Sequence, residues 1–331
     1  MEKIAVVIPC YRVTEHVLEV ISLIDDRVWR IYAIDDCCPD GSGNVITAQC
    51  SDSRVRVLRH ETNQGVGGAV MTGYKAAIAD GVDIIVKVDG DGQMDPALLW
   101  HFVEPICKDR ADYTKGNRFY DLTFINRMPT IRIIGNAALS FLTKISTGYW
   151  TIFDPTNGYT AIHARVAASL PFDRISRRYF FETDMLFRLN TIRAVVFDVP
   201  MHAKYGDEQS NLKIGKILPE FIGKHIKNLG KRIFYNYFLR DMTVASFELV
   251  SGSALFLFGT AFGIAHWISG IAHNRETPFG TIIVSTLCVL IGLQLLLAFI
   301  GFDVANVPQR PIHDSLPGPL GTPSTRTEDQ K

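Results

Sequence analysis

The sequence predicts an α/β fold: a mostly parallel sheet with helices on both faces, followed by amphipathic juxtamembrane helices and a two-helix transmembrane hairpin. Strand-like apolar runs alternate with helix-like segments through the first half of the chain, a pattern typical of parallel sheets. Acidic residues directly follow several of these strand-like runs. Two long uncharged runs lie near the C-terminus of this chain of 331 residues, whose mean hydropathy is +0.12.

The predicted strands of the first half are short and apolar. They cover residues 3–9, 28–35, 54–60 and 82–89, with helix-like segments at 15–24 and 69–80 between them. The helix-like segments carry apolar residues three and four positions apart, which is the spacing of one helix face. Ligands of such sheets bind beyond the carboxyl ends of the strands, and this is where Asp35, Asp36, Asp89 and Asp91 fall.

The next part of the chain is less regular. Strand candidates cover residues 158–164 and 194–200, and a helix candidate covers residues 182–191. We expect residues 1–212 to form one catalytic domain. It would end in a loop at 205–212 that is either solvated or on the acceptor side, and a solvated loop is the more usual of the two.

Residues 213–242 are predicted to form basic amphipathic juxtamembrane helices. Apolar residues from Ile214 to Ile233 recur along one helical face, and seven Lys or Arg oppose a single acid, Glu220. Such a segment is typical of a helix that lies at a membrane surface. A solvated helix packed on the domain would show the same pattern.

The two uncharged runs, 249–265 and 281–302, predict a transmembrane hairpin. The second run is 22 residues long, and as a helix it would span roughly 33 Å, enough for a bilayer core of ~30 Å. We expect membrane-spanning helices at 243–269 and 280–303, and a disordered cytoplasmic tail at 304–331. The basic residues before the hairpin predict a cytoplasmic catalytic domain, and the opening apolar run is too short for a signal peptide.

The stretch "VDGDGQMDP" carries the most specific candidate chemistry. Asp89 and Asp91 stand one residue apart at a predicted strand end, and Gln93 follows at the same spacing. Oxygen ligands of this kind suit Mg²⁺ or Mn²⁺, and a metal held there would stabilise a diphosphate leaving group. A solvated acidic turn before Pro96 would have the same sequence, so this motif alone does not decide between the two.

Several motifs taken together resemble those of the family 2 glycosyltransferases, specifically the polyprenyl-phosphate sugar transferases. They are "VVIPCYRVTEHV", "IDDCCPDGSGNV", "NQGVGGAVMTGYKAA" and "VDGDGQMDP", in this order. The resemblance covers residues 3–240. It implies a Rossmann-like nucleotide-sugar-binding domain of the glycosyltransferase A type, a Mg²⁺ or Mn²⁺ cofactor, and a membrane hairpin like that of the bacterial glucosyltransferases.

The resemblance also implies roles for individual residues of the donor site. Pro9 and Tyr11 would border the nucleotide base, and Asp36 would contact the nucleoside. The catalytic metal and the diphosphate would be contacted by Asp89, Asp91 and Gln93.

Three further sites follow from looser matches. "KGNRF" resembles the family's "GSR" and implies that Arg118 lies near a substrate phosphate, which the planar fork of an arginine binds well. "FDPTNGYTAIHARV" resembles a segment whose aspartate lies beside the reacting centre, and this aspartate would be Asp154. An aspartate before Pro155 is also a frequent turn residue. Arg132 would meet the acceptor phosphate.

The chain departs from the family pattern at two places that bear on function. Arg12-Val13 stands where the family usually has Asn-Glu, which leaves the identity of the nucleotide base open. Tyr159-Thr160 stands where the family has Phe-Arg, so no arginine is expected at that position.

The sequence therefore predicts a membrane-anchored inverting glycosyltransferase. It would move a sugar from a UDP-linked donor to the phosphate of a polyprenyl carrier at the cytoplasmic membrane face. That phosphate is already ionised, so its attack does not require a strong general base. Asp154 would therefore act either as a base or as an orienting group. Two alternatives stay open: transfer to a hydroxyl acceptor, and a non-catalytic membrane scaffold that retains the fold. The net charge of +0 gives no general attraction to nucleic acid, and the sequence leaves a homo-oligomer open.

Overall fold

The computed structural model describes residues 2–120, 130–201 and 214–317, and the side chains at 131, 132 and 214–218 lie outside that description. The chain divides into two compact units. The first contains the residues up to Asn228 and those from Pro308 onward, and the second is Leu229–Val307. The predicted loop at 205–212 falls outside the described residues.

Within the described residues, the first unit contains a seven-stranded sheet. Its strands are β1 Ile4–Cys10, β2 Arg30–Asp35, β3 Val55–Arg59, β4 Ile84–Lys87, β5 Tyr113–Asn117, β6 Thr160–His163 and β7 Val196–Pro200. They lie in the order β3-β2-β1-β4-β6-β5-β7. All run parallel except β6, which is antiparallel to both β4 and β5. The prediction of a mostly parallel sheet is confirmed.

Helices alternate with the strands and follow them. They are α1 Val17–Ser22, α2 Ser42–Gln49, α3 Val66–Ala79, α4 Leu99–Cys107, α5 Thr130–Thr147, α6 Ala164–Ala168, α7 Phe181–Thr191 and α8 Ile214–Phe234. Short 3₁₀ turns occupy Pro96–Leu98, Arg118–Tyr120 and Phe172–Arg174. The central strands are buried along their length, as expected for parallel strands covered on both faces.

Helix α8 packs on the first unit with polar side chains. His225 and Asn228 are 3% and 6% exposed. A 2.8 Å hydrogen bond joins His225 Nδ1 to Ser146 Oγ. Ile222 and Ile226, which belong to the predicted apolar stripe, are 40% and 65% exposed. These two side chains therefore face away from the first unit, whereas a helix of a soluble protein would bury them. Phe221 of the same stripe packs against Phe180 of the first unit.

The second unit contains two long apolar helices, α9 Val244–Ala272 and α10 Phe279–Ala305, after a π-helical turn at Tyr235–Arg240. Both are long and apolar enough to cross a membrane, and only 6% and 11% of their candidate spans are buried. They pack against each other through small residues. A Cβ built on Gly259 would lie 2.8 Å from the Cβ of Cys288. Close approach of this kind is typical of helix pairs in membranes.

The chain after α10 returns to the first unit, although the sequence predicts disorder from residue 304. The carboxylate of Asp112, which is fully buried, accepts hydrogen bonds from the backbone N–H groups of Ile312 and His313 at 2.9 and 3.0 Å. The ring of His313 stacks on His163 with 4.5 Å between centroids. Burial alone would lower the pKa of His313, but its hydrogen bonds to Asp112 and Asp109 raise it.

The disorder prediction is therefore wrong for residues 304–317. A composition rich in proline and glycine does not reveal a buried carboxylate that anchors the segment 200 residues away in sequence. Residues 318–331 lie outside the described part of the chain.

Candidate active site

The carboxyl ends of β1, β2 and β4 border a single cavity of about 510 Å³. Neighbouring parallel strands end at the same edge of a sheet, so the residues that follow them meet there. Its lining consists of Pro9, Cys10, Tyr11, Arg12, Val13, Asp36, Asn63, Gly65, Val66, Ala69, Asp89, Gly90, Asp91, Arg178 and Tyr179. Five residues that the sequence singles out for the donor site are thus brought together: Pro9, Tyr11, Asp36, Asp89 and Asp91.

Asp36 fixes the glycine-rich turn that precedes α3. Its Oδ1 and Oδ2 accept hydrogen bonds from the backbone N–H groups of Gln64 and Gly65, both at 2.8 Å. The ring of His60 lies 2.7 Å from Oδ1. Asp36 therefore lines the cavity, and its carboxylate holds the turn through these hydrogen bonds. Asp35 has a structural role as well, because its carboxylate accepts hydrogen bonds from two backbone amides of the next turn.

Asp89 forms an ion pair with a buried lysine. The Nζ of Lys87, a residue that is 1% exposed, lies 2.7 Å from Asp89 Oδ1 and donates a 3.0 Å hydrogen bond to the carbonyl of Gly158. Asp91 Oδ1 accepts a hydrogen bond from the backbone N–H of Gln93 at 3.0 Å. Gln93 is half-buried and does not line the cavity in the described part of the chain.

A chain of buried charges continues behind Asp89. Lys87 Nζ lies 3.9 Å from Glu182 Oε1 on α7. Burial would lower the pKa of Lys87, but the carboxylates of Asp89 and Glu182 outweigh it and raise the pKa. Burial raises the pKa of Glu182 against the opposing effect of Lys87 and Lys115. The pKa of Lys115, which is fully buried and donates to the carbonyl of Asn157, is lowered by burial to about 8.

Arg118 and Asp154 form a bidentate pair. Arg118 Nε donates to Asp154 Oδ2 at 2.7 Å, and an Nη donates to Oδ1 at 3.0 Å. The backbone N–H of Arg118 also donates to Oδ2, at 3.2 Å. Asp154 is fully buried, whereas the side chain of Arg118 is 27% exposed. The pair holds the guanidinium plane in one orientation.

An exposed apolar surface adjoins this pair. On α5, Ile134, Ala137, Ala138 and Phe141 are exposed at positions that share one helix face. The Oγ of Ser140, also on α5, donates a 3.2 Å hydrogen bond to the carbonyl of Phe153, the residue before Asp154, and Phe153 is 45% exposed. Arg132 lies on α5 as well, but its side chain is outside the described part of the structure.

Residues 5–170, half of the chain, match Glycosyl transferase family 2. The chain belongs to this family. It is 30% identical over 203 residues to the undecaprenyl-phosphate mannosyltransferase of Micrococcus luteus, a match that covers 60% of this chain and 82% of that one. It is 32% identical over 152 residues to the UDP-N-acetylglucosamine–dolichyl-phosphate N-acetylglucosaminyltransferase of Methanococcus voltae, covering 46% of this chain and 60% of that one.

The fold is shared with a solved structure. Glucosyl-3-phosphoglycerate synthase from Mycobacterium tuberculosis, in complex with Mn²⁺, UDP-glucose and phosphoglyceric acid, superposes with a TM-score of 0.51 at 19% identity. The match covers 70% of this chain and 79% of that one. At this identity the likeness concerns the fold alone.

Sequence reasoning missed four charged residues of this family 2 glycosyltransferase: Lys87, Lys115, Glu182 and Arg178. Lys87 carried a usable signal, because a lysine inside the apolar run "VDIIVKV" must find buried partners. Lys115 and Glu182 lie in segments that contain other polar residues, so neither charge stands out from its neighbours. Arg178 comes from a loop far along the chain, and only the tertiary fold brings it to the cavity.

Proposed function

We propose that this family 2 glycosyltransferase transfers a sugar from a UDP-linked donor to the phosphate of a polyprenyl lipid. The observation that carries the proposal is the cavity at the ends of β1, β2 and β4, lined by both Asp89 and Asp91. The nucleotide base would lie near Pro9 and Tyr11. The diphosphate would lie toward the two carboxylates, with its sugar directed to the side where β6 joins β4.

The cavity fits a divalent cation of the Mg²⁺ or Mn²⁺ type. Asp89 and Asp91 offer hard carboxylate oxygens, which both ions prefer. Gly158 leaves room beside them, because a Cβ built there would lie 2.6 Å from Asp89 Oδ2. When bound, the metal would neutralise charge that develops on the departing diphosphate. Gln93 would contribute through its hydrogen bond to Asp91, which orients that carboxylate.

Asp154 is proposed to orient Arg118 and not to accept a proton. Both of its oxygens accept hydrogen bonds from Arg118, and the carboxylate has no exposed surface. A lipid phosphate is ionised at neutral pH, so its attack on the anomeric carbon needs no general base. Arg118 would then hold a phosphate at the reacting centre, in the geometry that an in-line displacement requires. Arg132 is proposed as a second contact for the acceptor phosphate.

A lipid acceptor is supported by surfaces that are apolar and exposed. They are the stripe on α5 beside Phe153, the outward face of α8 and the two candidate spans α9 and α10. If both spans cross the membrane, the segments before and after them lie on the same side. The packing of residues 308–317 on the first unit agrees with that topology. The basic residues of α8 favour the cytoplasmic side.

The full-length protein in nanodiscs that contain undecaprenyl phosphate tests the proposal. Radiolabelled UDP-sugars and GDP-sugars are supplied in turn, and label in the butanol-extractable lipid is counted. We expect lipid labelling from a UDP-sugar, loss of labelling in excess EDTA, and recovery with Mg²⁺ or Mn²⁺. Asp91→Ala should nearly abolish labelling, whereas the surface variant Asp173→Ala, at a side chain that is 91% exposed, should keep it.

Each alternative to this proposal predicts a different result in that assay. Full labelling in excess chelator would remove the metal from the mechanism. Label that appears only in a water-soluble polymer would favour a hydroxyl acceptor. A protein that neither transfers sugar nor releases nucleotide diphosphate with any donor would be a scaffold.

A further inference from the structure

Arg178 places a positively charged side chain at the proposed donor cavity. It lies in the loop between the 3₁₀ turn Phe172–Arg174 and α7, and with Tyr179 it lines the same cavity as Asp89 and Asp91. Its side chain is exposed. Within the described residues its guanidinium takes part in no hydrogen bond or ion pair.

The glycine-rich turn is shaped to hold this loop. Gly65 has φ +84, and a Cβ built on it would lie 2.6 Å from the carbonyl oxygen of Arg177 and 2.8 Å from Cγ of Arg178. The backbone N–H of Gly68 donates to that carbonyl at 3.2 Å. Asp36 fixes the turn through the amide of Gly65. The aliphatic stem of Arg178 therefore packs against a backbone segment that this hydrogen bond holds in place.

The other end of the loop is fixed by Asp184, which is 5% exposed. Its Oδ2 accepts a 2.8 Å hydrogen bond from the backbone N–H of Ser176, and its Oδ1 accepts one of 3.1 Å from Asn228 Nδ2 on α8. Phe180, 2% exposed, packs edge-on against Phe221 of α8 at 5.3 Å between centroids. The loop is therefore anchored on both sides of Arg178 while the guanidinium stays open to the cavity.

We propose that Arg178 binds the diphosphate of the nucleotide sugar. The inference rests on the proposed function, because it presumes that this cavity takes a nucleotide. A guanidinium binds phosphate oxygens through parallel N–H groups, and it remains charged at every physiological pH. The second arginine of the lining, Arg12, lies 5.6 Å from the ring centroid of Tyr11. Arg12 therefore stands at the proposed base end, which leaves Arg178 for the phosphates.

Binding of UDP to the full-length protein in detergent, with Mg²⁺ present, tests the assignment by calorimetry. We expect Arg178→Ala to weaken UDP binding roughly 10- to 100-fold, the loss of a charge-assisted hydrogen bond, and Arg178→Lys to restore part of it. Arg177→Ala is the matched control, since its exposed side chain does not line the cavity and its backbone carbonyl is retained. Uridine, which has no phosphate, should give the same saturation-transfer NMR signal with wild type and with Arg178→Ala.

The outcomes separate this inference from the proposed function. If the wild-type protein does not bind UDP with Mg²⁺ or Mn²⁺, the proposed donor fails and the inference fails with it. If wild type binds UDP and Arg178→Ala binds it equally tightly, only the inference is overturned. Equal losses in Arg177→Ala and Arg178→Ala would reveal a general charge effect. A matching loss of the uridine signal would reveal a structural defect, and either result also overturns the inference.

Discussion

Lys87 is the residue whose replacement should destabilise the first unit most through charge. Its Nζ is enclosed by Asp89 at 2.7 Å, Glu182 at 3.9 Å and the carbonyl of Gly158 at 3.0 Å. Lys87→Met keeps the volume and the apolar stem but removes the ammonium group. Two carboxylates then lose their shared cation: Glu182, which is 15% exposed, and Asp89, which is 27% exposed.

The magnitude follows from these distances. Unit charges about 4 Å apart interact by ~4 kcal/mol at an effective dielectric constant of about 20, which applies to the pair of Lys87 and Glu182. Removal of one partner of a buried ion pair typically costs about 3–5 kcal/mol. At roughly 2–4 °C per kcal/mol for a domain of this size, Lys87→Met should lower the unfolding midpoint by about 10 °C.

The assay is thermal unfolding of the full-length protein in detergent, followed by tryptophan fluorescence. Adding Glu182→Gln to Lys87→Met should recover part of the loss, because it removes one of the two unpaired carboxylates. Lys108→Met, at a lysine that is 60% exposed, is the control and should leave the midpoint nearly unchanged. A midpoint for Lys87→Met within about 2 °C of wild type would refute the reasoning, as would equal effects of Glu182→Gln in both backgrounds.

Three further predictions concern catalysis, the hairpin and pH. Asp154→Asn should lower kcat on the order of 100-fold through misorientation of Arg118 and leave the Kd for UDP unchanged; a matching loss of UDP affinity would make Asp154 a donor-site residue. Gly259→Leu should separate α9 from α10 and lower the yield of monodisperse protein on size exclusion, whereas Gly301→Leu, with open space around its Cβ position, should not. Burial lowers the pKa of His225 to about 4, so below the ordinary value of ~6.5 the unfolded chain binds a proton that the folded chain does not. Stability should therefore fall from pH 6.5 toward pH 4, and between pH 7 and 5 wild type should lose more of its unfolding midpoint than His225→Gln; equal losses would contradict the assignment.

The central strands were predictable because they are apolar. The runs at 3–9 and 82–89 correspond to β1 and β4 within about two residues, and their pattern is typical of strands buried on both faces. Strand β5 was not predicted, because "YTKGN" is polar although every residue in it is buried. Its polar groups are paired within the fold, as in the hydrogen bond from Thr114 Oγ1 to the carbonyl of Phe102 at 2.8 Å. Hydrophobic pattern alone cannot identify such a strand.

The proposed donor side of the site was predictable for a related reason. Residues that directly follow parallel strands converge at one edge, so Asp35, Asp36, Asp89 and Asp91 were expected to meet, and all of these except Asp35 line one cavity. The direction of the apolar stripe on α8 was not predictable. Amphipathicity shows that a helix has two faces, but whether the protein or its surroundings covers the apolar one depends on partners such as Ser146 and Asp184.

The proposed acceptor side depends on one strand that runs antiparallel to its neighbours. Asp154 precedes β6 in the chain, so in an all-parallel sheet it would lie at the edge opposite Asp89. Because β6 is antiparallel and lies between β4 and β5, its beginning falls at the edge where those two strands end. Arg118, directly after β5, therefore meets Asp154 there.

The same strand register explains how the two buried lysines, Lys87 and Lys115, find hydrogen-bond partners. Thr160 of β6 pairs with Lys87 on β4 and with Lys115 on β5. Both ammonium groups hydrogen-bond to carbonyls just before Thr160, those of Gly158 and Asn157. The loop that leads into β6 is thus held between two cations, one beside the proposed metal carboxylate and one behind the Arg118–Asp154 pair. A change in strand direction at β6 would move Asp154 to the opposite edge of the sheet, so the antiparallel strand is what brings Asp154 to the edge that holds the proposed metal carboxylates.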